Sequence, residues 1–253
     1  MAADTKAIII AAGLGSRMKK LTATKPKCMA AFGDKTLLQR QIDAYHANGV
    51  TDISLVRGYK KEAINYDGIT YFDNPDYADN NILNSLFYAE EAINGHVIAA
   101  YSDILFENQV VSRLLQSTYD ISVVVDIDWR NYYVDRRDHP IEEAENVIFD
   151  ANKNVIEIGK ILSGKNDVHG EFIGMIKLTP TGAETFKQHF HQAKSQYWDK
   201  PFQRAPVFQK AYLTDMIQEM VNLGVPVHCV TIQRGWKEID TVEDYEKALK
   251  DFA

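Results

Sequence analysis

Cysteine is scarce in this chain. Its 253 residues hold two, Cys28 and Cys229, far apart and outside any paired motif, which excludes a disulfide framework and a cysteine-rich zinc site. Long apolar runs are missing as well. The longest near the start, residues 7–12, falls far short of the roughly 20 residues a membrane-spanning helix needs. No charged leader with a small-residue cleavage site precedes it, so no targeting segment is predicted. The expectation is a cytoplasmic protein of a bacterial type of cell, without membrane partners. An excess of basic charge is lacking too. Lys and Arg number 28 against 35 Asp and Glu, a formal charge of −7. Such a chain has no broad field to draw in nucleic acid, and an anionic substrate would need a local basic pocket. What is present is an ordinary globular balance, 45% apolar and 25% charged, which rules out disorder, collagen and coiled coil as the main state. A chain of this length can bury roughly 70–75% of the surface its unfolded form exposes.

Residues 6–12 form a continuous apolar run closed by Gly13, the pattern of a strand buried on both faces. A polar, Gly- and Lys-rich loop follows to Lys27. The spacing predicts a helix over 37–48, strands over 51–56 and 69–72, a helix over 82–93 and a strand over 97–101. This alternation predicts right-handed βαβ units and a mostly parallel sheet. The middle changes character, with short strands at 120–125, 146–149, 155–158 and 172–178, and a hairpin turn at 150–154. Thr179-Pro180 then reads as a helix start, with Thr as cap and Pro in the first turn. A helix over 210–223, a strand over 227–232 and a last helix over 241–252 complete the chain. Thr241 and Asp244 have the spacing of a capping box. With neither a repeat nor a low-complexity linker, the reading is one three-layer α/β domain over 1–253 with a small β-rich insertion at about 128–178.

The strongest chemical signal is the first loop, Gly13-Leu-Gly15-Ser16-Arg17 and then Pro26-Lys27. It has no third glycine for a dinucleotide fingerprint and no G-K-[ST] for a Walker loop. The physics is related nonetheless. Two glycines let backbone approach a ligand and aim N–H groups at phosphate oxygens. Arg17 and Lys27 add two cations, and an arginine can grip a phosphate bidentately. The alternative is a plain glycine turn with solvated bases.

Residues 11–17, Ala-Ala-Gly-Leu-Gly-Ser-Arg, with Pro26-Lys27, resemble the signature of the nucleotidyltransferases with a Rossmann-like fold, and the resemblance extends over essentially the whole chain. It implies an enzyme that joins a nucleoside triphosphate to a phosphorylated substrate and releases pyrophosphate. It further implies that the loop around Ala11, Ala12, Gly13, Gly15 and Ser16 wraps the nucleotide while Arg17 and Lys27 neutralise the triphosphate.

Two distant aspartates form a second signal. Asp103 follows the strand at 97–101, and Asp240 sits in Glu-Ile-Asp-Thr. Two carboxylates at strand ends can hold one hard cation, with triphosphate oxygens and water completing an octahedral shell. The resemblance implies that the pair binds Mg²⁺. Taken singly, Asp103 reads as a loop cap and Asp240 as a helix N-terminal charge. Asn80, Asn81, Asn84 and Ser85 precede or open a helix, where one such residue suffices as a cap. Their amides and hydroxyls can read a base edge. In the cytidylyltransferases this chain resembles, the matching region and the backbone around Ala12 and Gly13 surround cytosine, which makes Asn80, Asn81 and Ser85 candidate base contacts.

The inserted section carries Arg136, Arg137 and His139, then Glu142, Glu145, Lys160 and Glu171. These spacings resemble the cytidylyltransferases associated with phosphoenolpyruvate mutase in phosphonate biosynthesis, and differ from the sugar-1-phosphate branch. Arg136, Arg137, His139, Lys160 and Glu171 are therefore the candidate acceptor-binding residues, against the plainer reading of a solvated sheet face. Two rivals remain. Asp126-Ile-Asp128 ends an apolar strand as a D-x-D, a metal motif of glycosyltransferases, but that reading leaves residues 13–27 unexplained. A nucleotide-sensing regulatory domain would have lost a metal ligand or the lysine, whereas Arg17, Lys27, Asp103 and Asp240 are all present. The reading adopted is transfer of CMP from CTP to a small phosphonate of the 2-aminoethyl or 2-hydroxyethyl type, with Mg²⁺ as cofactor. Phosphocholine or another phosphomonoester stands second and a sugar 1-phosphate third. Homodimerisation is left open.

Overall fold

A computed structural model describes residues 4–162 and 167–252, with all side chains in that range except those of Ser16, Lys19, Lys20, Asp251 and Phe252. The strands are β1 (Thr5–Ala11), β2 (Ala31–Phe32), β3 (Lys35–Thr36), β4 (Asp52–Arg57), β5 (Ile69–Asp73), β6 (His96–Tyr101) and β7 (Ile104–Phe106). They continue as β8 (Ile121–Asp126), β9 (Asn146–Phe149), β10 (Val155–Gly159), β11 (Gly170–Leu178), β12 (His228–Ile232) and β13 (Trp236–Glu238). The helices are α1 (Leu37–Ala47), α2 (Ile82–Leu86), α3 (Asn108–Leu115), α4 (Trp129–Tyr132), α5 (Pro180–Tyr197), α6 (Leu213–Asn222) and α7 (Val242–Phe252).

The isoleucine run of β1 becomes the middle of the main sheet. It pairs in parallel with β4 on one side and β6 on the other, and β5 adds in parallel beyond β4. Because successive strand side chains point to opposite faces, Ile8 and Ile10 enter one apolar cluster while Ala7, Ile9 and Ala11 enter another. The first cluster is covered by α5 and α6, through residues such as Phe186, Phe190 and Met216. The second is covered by α1 and α3, through Leu38, Ile42, Tyr45 and Val110. Helices on both faces of a buried sheet make the three layers that the composition of β1 requires.

The other half of the sheet is mixed. β11 is buried along its whole length and runs antiparallel to β6, β8 and β9. β12 then pairs in parallel with β8. β9 and β10, from the section between residues 128 and 178, extend this same sheet at its edge. The register of β11 shifts between Phe172 and Ile176, and Gly174 sits at the break with φ +84°. A side chain at Gly174 would run into the Tyr101 ring.

Local structure departs from the sequence expectation in several places. The helix read over 82–93 is α-helical only to Leu86 and continues as a 3-10 turn over Phe87–Ala92, with Ala89 at φ −100° and ψ 28°. The helix read over 210–223 starts at Leu213, behind a separate turn at Phe208–Lys210. Elements not foreseen are α3, α4, the β2–β3 hairpin and the β7–β13 ribbon. The predicted caps hold. Thr179 accepts from the Gly182 N–H, and Thr241 and Asp244 satisfy each other's backbone N–H groups. No helix among the described residues is long and apolar enough to cross a membrane.

Candidate active site

The carboxyl ends of β1 and β6 open into a cavity of about 320 Å³, where open α/β sheets bind ligands. The chain leaving β1 forms one wall. Gly15 has φ +59°, and a Cβ added to it would lie 2.7 Å from the Lys27 Cβ. Left-handed backbone and close approach both demand glycine here. Thr22 pins the turn by donating to the Gly15 carbonyl at 2.9 Å. Gly13 lines the same cavity, and a methyl group placed on it would meet nothing within 4 Å, so this glycine leaves open space rather than relieving strain.

The β7–β13 ribbon forms the opposite wall. Glu238 stands opposite Ile104, and the Ile239 N–H donates to the Asp103 carbonyl at 2.7 Å. Two segments more than a hundred residues apart in sequence are thereby clamped together, which puts Asp103 and Asp240 at one point. Lys27 lies between them. Its ammonium is 2.8 Å from Asp103 Oδ2 and also pairs with Asp240 Oδ1, while Arg17 pairs with Asp240 Oδ2. Burial works against charge on Lys27, but Asp103 and Asp240 outweigh it and hold its pKa above the usual lysine value. Burial likewise opposes ionisation of Asp240, but Lys27, His139 and Arg17 keep its carboxyl well below the ordinary range. The four residues singled out as catalytic or metal-binding thus meet in one cluster. Asp103 Oδ1 is buried and has no hydrogen-bond partner. An unused carboxylate oxygen beside a second carboxylate is the hard-oxygen donor set that suits Mg²⁺, so the residues fit that ion.

His139, a candidate acceptor contact, stands beside this cluster. It lines the cavity and is 2% exposed, with Nδ1 3.3 Å from Asp240 Oδ2 and 3.7 Å from Glu238 Oε2. The three ligand-capable atoms lie within 4.8 Å of one another. Glu238 was not foreseen. Burial and the Asp240 charge raise its pKa.

Of the other nucleotide-binding candidates, Ala11 and Asn81 line the cavity. Asn81 also caps α2 and donates to the Lys210 carbonyl. Ala12 is packed in the core behind the loop, with its carbonyl accepting from Tyr59. Asn80 and Ser85 bond to each other and to Asn74, away from the cavity wall, because buried amides and hydroxyls must find partners. The Ser16 side chain lies outside the described residues.

The acceptor candidates divide. Lys160 and Glu171 line the cavity; Arg136 and Arg137 do not. The Arg136 guanidinium is tied to Asp244 at 2.7 Å and Glu238 at 2.9 Å and lies over the Tyr132 and Tyr133 rings. It is a structural cation, since a buried guanidinium needs carboxylate partners. Arg137 is exposed and contributes its backbone N–H to Glu243. Glu142 is exposed, and its neighbour Glu143 takes the cavity position, pairing with Lys160 at 2.7 Å. Glu145 faces the cavity and accepts from Thr214 at 2.8 Å and Tyr101 at 3.1 Å. Burial pushes its carboxyl up to about 7, against those hydroxyls and Lys160. Glu171 accepts from Tyr133, and its Oε2 is a buried acceptor without a partner. Burial and then Glu238 raise its pKa well above the ordinary value.

The D-x-D motif serves packing. Asp126 is fully buried and accepts from Arg234 at 2.8 Å, from the Trp236 indole at 2.8 Å and from the Asp128 N–H at 2.9 Å. Its oxygens hold the β12–β13 turn, and neither aspartate lines the cavity.

Comparison with known proteins agrees with this geometry. Residues 7–155 match the family of the MobA-like NTP transferase domain. A CTP:phosphoglutamine cytidylyltransferase of Campylobacter jejuni is 27% identical, the match covering 96% of this chain and 99% of that protein. A choline-phosphate cytidylyltransferase of Streptococcus pneumoniae is 35% identical over 63% of this chain and 68% of that one. The solved CTP:phosphocholine cytidylyltransferase from S. pneumoniae has the same fold, with a TM-score of 0.74 at 22% identity over 99% of this chain and 100% of that one. With a glycine-backed lysine and arginine set against two carboxylates at the carboxyl edge of the sheet, the chain belongs to the MobA-like NTP transferase domain family and is a nucleotidyltransferase.

Proposed function

We propose that the protein transfers CMP from CTP to a small, amine-bearing phosphonate or phosphate monoester and releases pyrophosphate. The observation that carries this reading is the cavity itself. Its lining brings together Lys27 and Arg17, set against Asp103 and Asp240, with Glu145 and Glu171, two carboxylates supported by hydroxyls. The resemblance of the sequence to the phosphonate branch, and the cytidylyltransferase relatives, support the base and the acceptor class.

The acceptor phosphoryl oxygen is already anionic near neutral pH, since a second phosphate pKa is about 6. No general base is required, and catalysis reduces to positioning and charge neutralisation. Lys27 and Arg17 neutralise the triphosphate as negative charge moves onto the leaving pyrophosphate. The chain leaving β1 aims backbone at the phosphates through Gly13 and Gly15. Asn81 stands at the base end, and Lys160 faces the acceptor. Enzymes of this family generally use a divalent cation; Asp103 and Asp240 would hold Mg²⁺, which would supply further charge neutralisation between the substrates. Glu171 Oε2 and Glu145 offer acceptors that an ammonium with N–H donors can use.

Phosphocholine is the second reading, because Tyr101, Phe172, Tyr212 and Trp236 line the same cavity and aromatic faces attract a quaternary amine. The test is pyrophosphate release with CTP, ATP, GTP and UTP against 2-aminoethylphosphonate, 2-hydroxyethylphosphonate, phosphoglutamine, phosphocholine and glucose 1-phosphate. The expected outcome is a CTP preference of tenfold or more and the highest kcat/KM for a primary-amine acceptor. A tenfold preference for phosphocholine or the sugar phosphate overturns the acceptor class, and an equal response to all triphosphates overturns the base.

A further inference from the structure

A second recess, of about 250 Å³, lies behind the β13 wall of the catalytic cavity. Its lining carries five cations, Arg136, Arg234, Lys237, Lys247 and Lys250, against one carboxylate, Asp244. In a chain of formal charge −7 this is a strong local reversal of sign. Three of the cations crowd one aromatic ring. The Tyr132 centroid is 4.5 Å from the Arg136 guanidinium carbon, 4.6 Å from that of Arg234 and 5.2 Å from Lys237 Nζ. The ring cannot drift, because its hydroxyl donates to the Glu238 carbonyl at 2.8 Å and accepts from the Glu238 N–H at 3.0 Å.

Asp244, which lines the recess, holds Arg136 at 2.7 Å, and the other pairing carboxylates are not among its lining residues. Asp126, which holds Arg234, is fully buried, and Glu238, which holds Arg136, faces the catalytic cavity. Glu243 pairs with Lys247 at 2.9 Å one turn along α7, and Lys247 also donates to the Asp135 carbonyl. Arg136 supplies an independent sign of an unmet partner. Its side chain is 1% exposed and lines this recess, yet Nη1 has no hydrogen-bond partner. A buried N–H donor on a charged group left unpaired costs more than a typical hydrogen bond contributes.

We propose that the recess between α4, β13 and α7 binds a small, multiply charged oxyanion of the phosphate class, with the Arg136 guanidinium at its buried wall and Arg234, Lys237, Lys247 and Lys250 around it. Phosphate oxygens suit the guanidinium pair, which offers planar donors, and the lysines act as point charges. The site is separate from the triphosphate loop and does not depend on the identity of the acceptor. Arg136 joins the two, because the same guanidinium holds Glu238 of the catalytic wall.

The probes are inorganic pyrophosphate and inorganic phosphate, added to the full-length, isotope-labelled protein at constant ionic strength with chloride as the control anion. Amide and side-chain NMR shifts are followed at residues 13–27 and, separately, at Tyr132, Arg136 and residues 234–250. The expected result is a saturable change at the second group that chloride does not produce. In K237Q/K250Q, whose substitutions lie on half-exposed and exposed positions, the affinity read from that group falls tenfold or more while the response at 13–27 is kept. Shifts confined to 13–27, shifts at the second group that chloride reproduces, or equal affinity in K237Q/K250Q overturn the proposal.

Discussion

Gly15 lies directly against Lys27, with room for a hydrogen where a Cβ would come within 2.7 Å of the Lys27 Cβ. The lysine that bridges Asp103 and Asp240 is therefore held in place by the absence of a side chain twelve residues earlier. Gly15→Ala should strain the left-handed backbone by about 1–2 kcal/mol and displace Lys27. The expected outcome is a turnover loss of tenfold or more with an unchanged far-UV spectrum. Unchanged turnover would separate the loop from the position of Lys27.

Lys27→Ala removes a preorganised donor, and losses of that kind typically raise the barrier by about 2.7–4 kcal/mol, a factor of 10²–10³. It also strips Asp103 and Asp240 of a buried partner. Because the folded pKa of Lys27 lies above its unfolded value, its stabilising contribution is fully present at neutral pH and is lost only as pH rises through the folded value. Thermal melts at pH 7 should therefore show a lower Tm for Lys27→Ala, alongside the fall in kcat. Adding back a small alkylamine tests whether charge alone restores turnover.

Asp103→Asn and Asp126→Asn separate the two aspartate motifs. Asp103→Asn keeps shape at the cluster and should collapse activity, and Mg²⁺ dependence, with a smaller fall in Tm than Asp126→Asn because Lys27 keeps Asp240 as a partner. Asp126→Asn should do the reverse, since Asp126 holds Arg234 and the Trp236 indole. Losing one partner of a buried pair costs about 3–5 kcal/mol, read by urea unfolding. An Asp126→Asn protein of full stability and no activity would restore the D-x-D reading.

Glu145 gives a pH signature. Its carboxyl is pushed up to about 7 in the fold, chiefly by burial, from an ordinary value of 4.5. A raised carboxyl pKa favours the folded state when protonated, so this stabilisation is present below the unfolded value and is lost as pH rises through about 7. Between pH 4.5 and 7 the wild-type Tm should fall relative to Glu145→Gln, whose side chain does not titrate. For an amine-bearing acceptor, KM should improve as pH rises through 7, and Glu145→Gln should flatten that profile. A parallel Tm trend in both proteins would remove the assignment.

Arg136→Gln should destabilise the packing of α7, because it leaves Glu238 and Asp244 without their shared cation. A loss of about 3–5 kcal/mol is expected for a broken buried pair, measured by denaturant midpoint. A variant of wild-type stability would mean that Arg136 does not anchor this region.

Much is legible in the sequence because its cause is local. The isoleucines of β1 and the glycine after it mark a doubly buried strand running into a ligand loop. Thr179-Pro180 and Thr241 with Asp244 carry their caps within four residues. The loop from Gly13 to Lys27 advertises its chemistry by composition. The same local view fails where partners come from afar. Arg136 and Lys160 look alike in sequence, as bases in a polar stretch. Arg136 is withdrawn by Glu238 and Asp244, about a hundred residues later, while Lys160 meets Glu143 at the cavity wall. Asn80 and Ser85 look like base readers but spend their hydrogen bonds on Asn74. Glu238 carries no signal in its own neighbourhood, and only its place on β13, opposite β7, brings it to the site.

By itself the sequence determined the α/β class, the strand that leads into the glycine loop, and the four charged residues that the fold gathers into one cluster. Periodicity, caps and glycine loops act over a few residues, so they survive in one dimension. The tertiary structure decided which charges face the cavity and which are spent inside the wall. That choice follows from burial: an ionised side chain withdrawn from water must find a counter-charge or a hydroxyl, and the sheet register and the β7–β13 ribbon determine which ones are within reach.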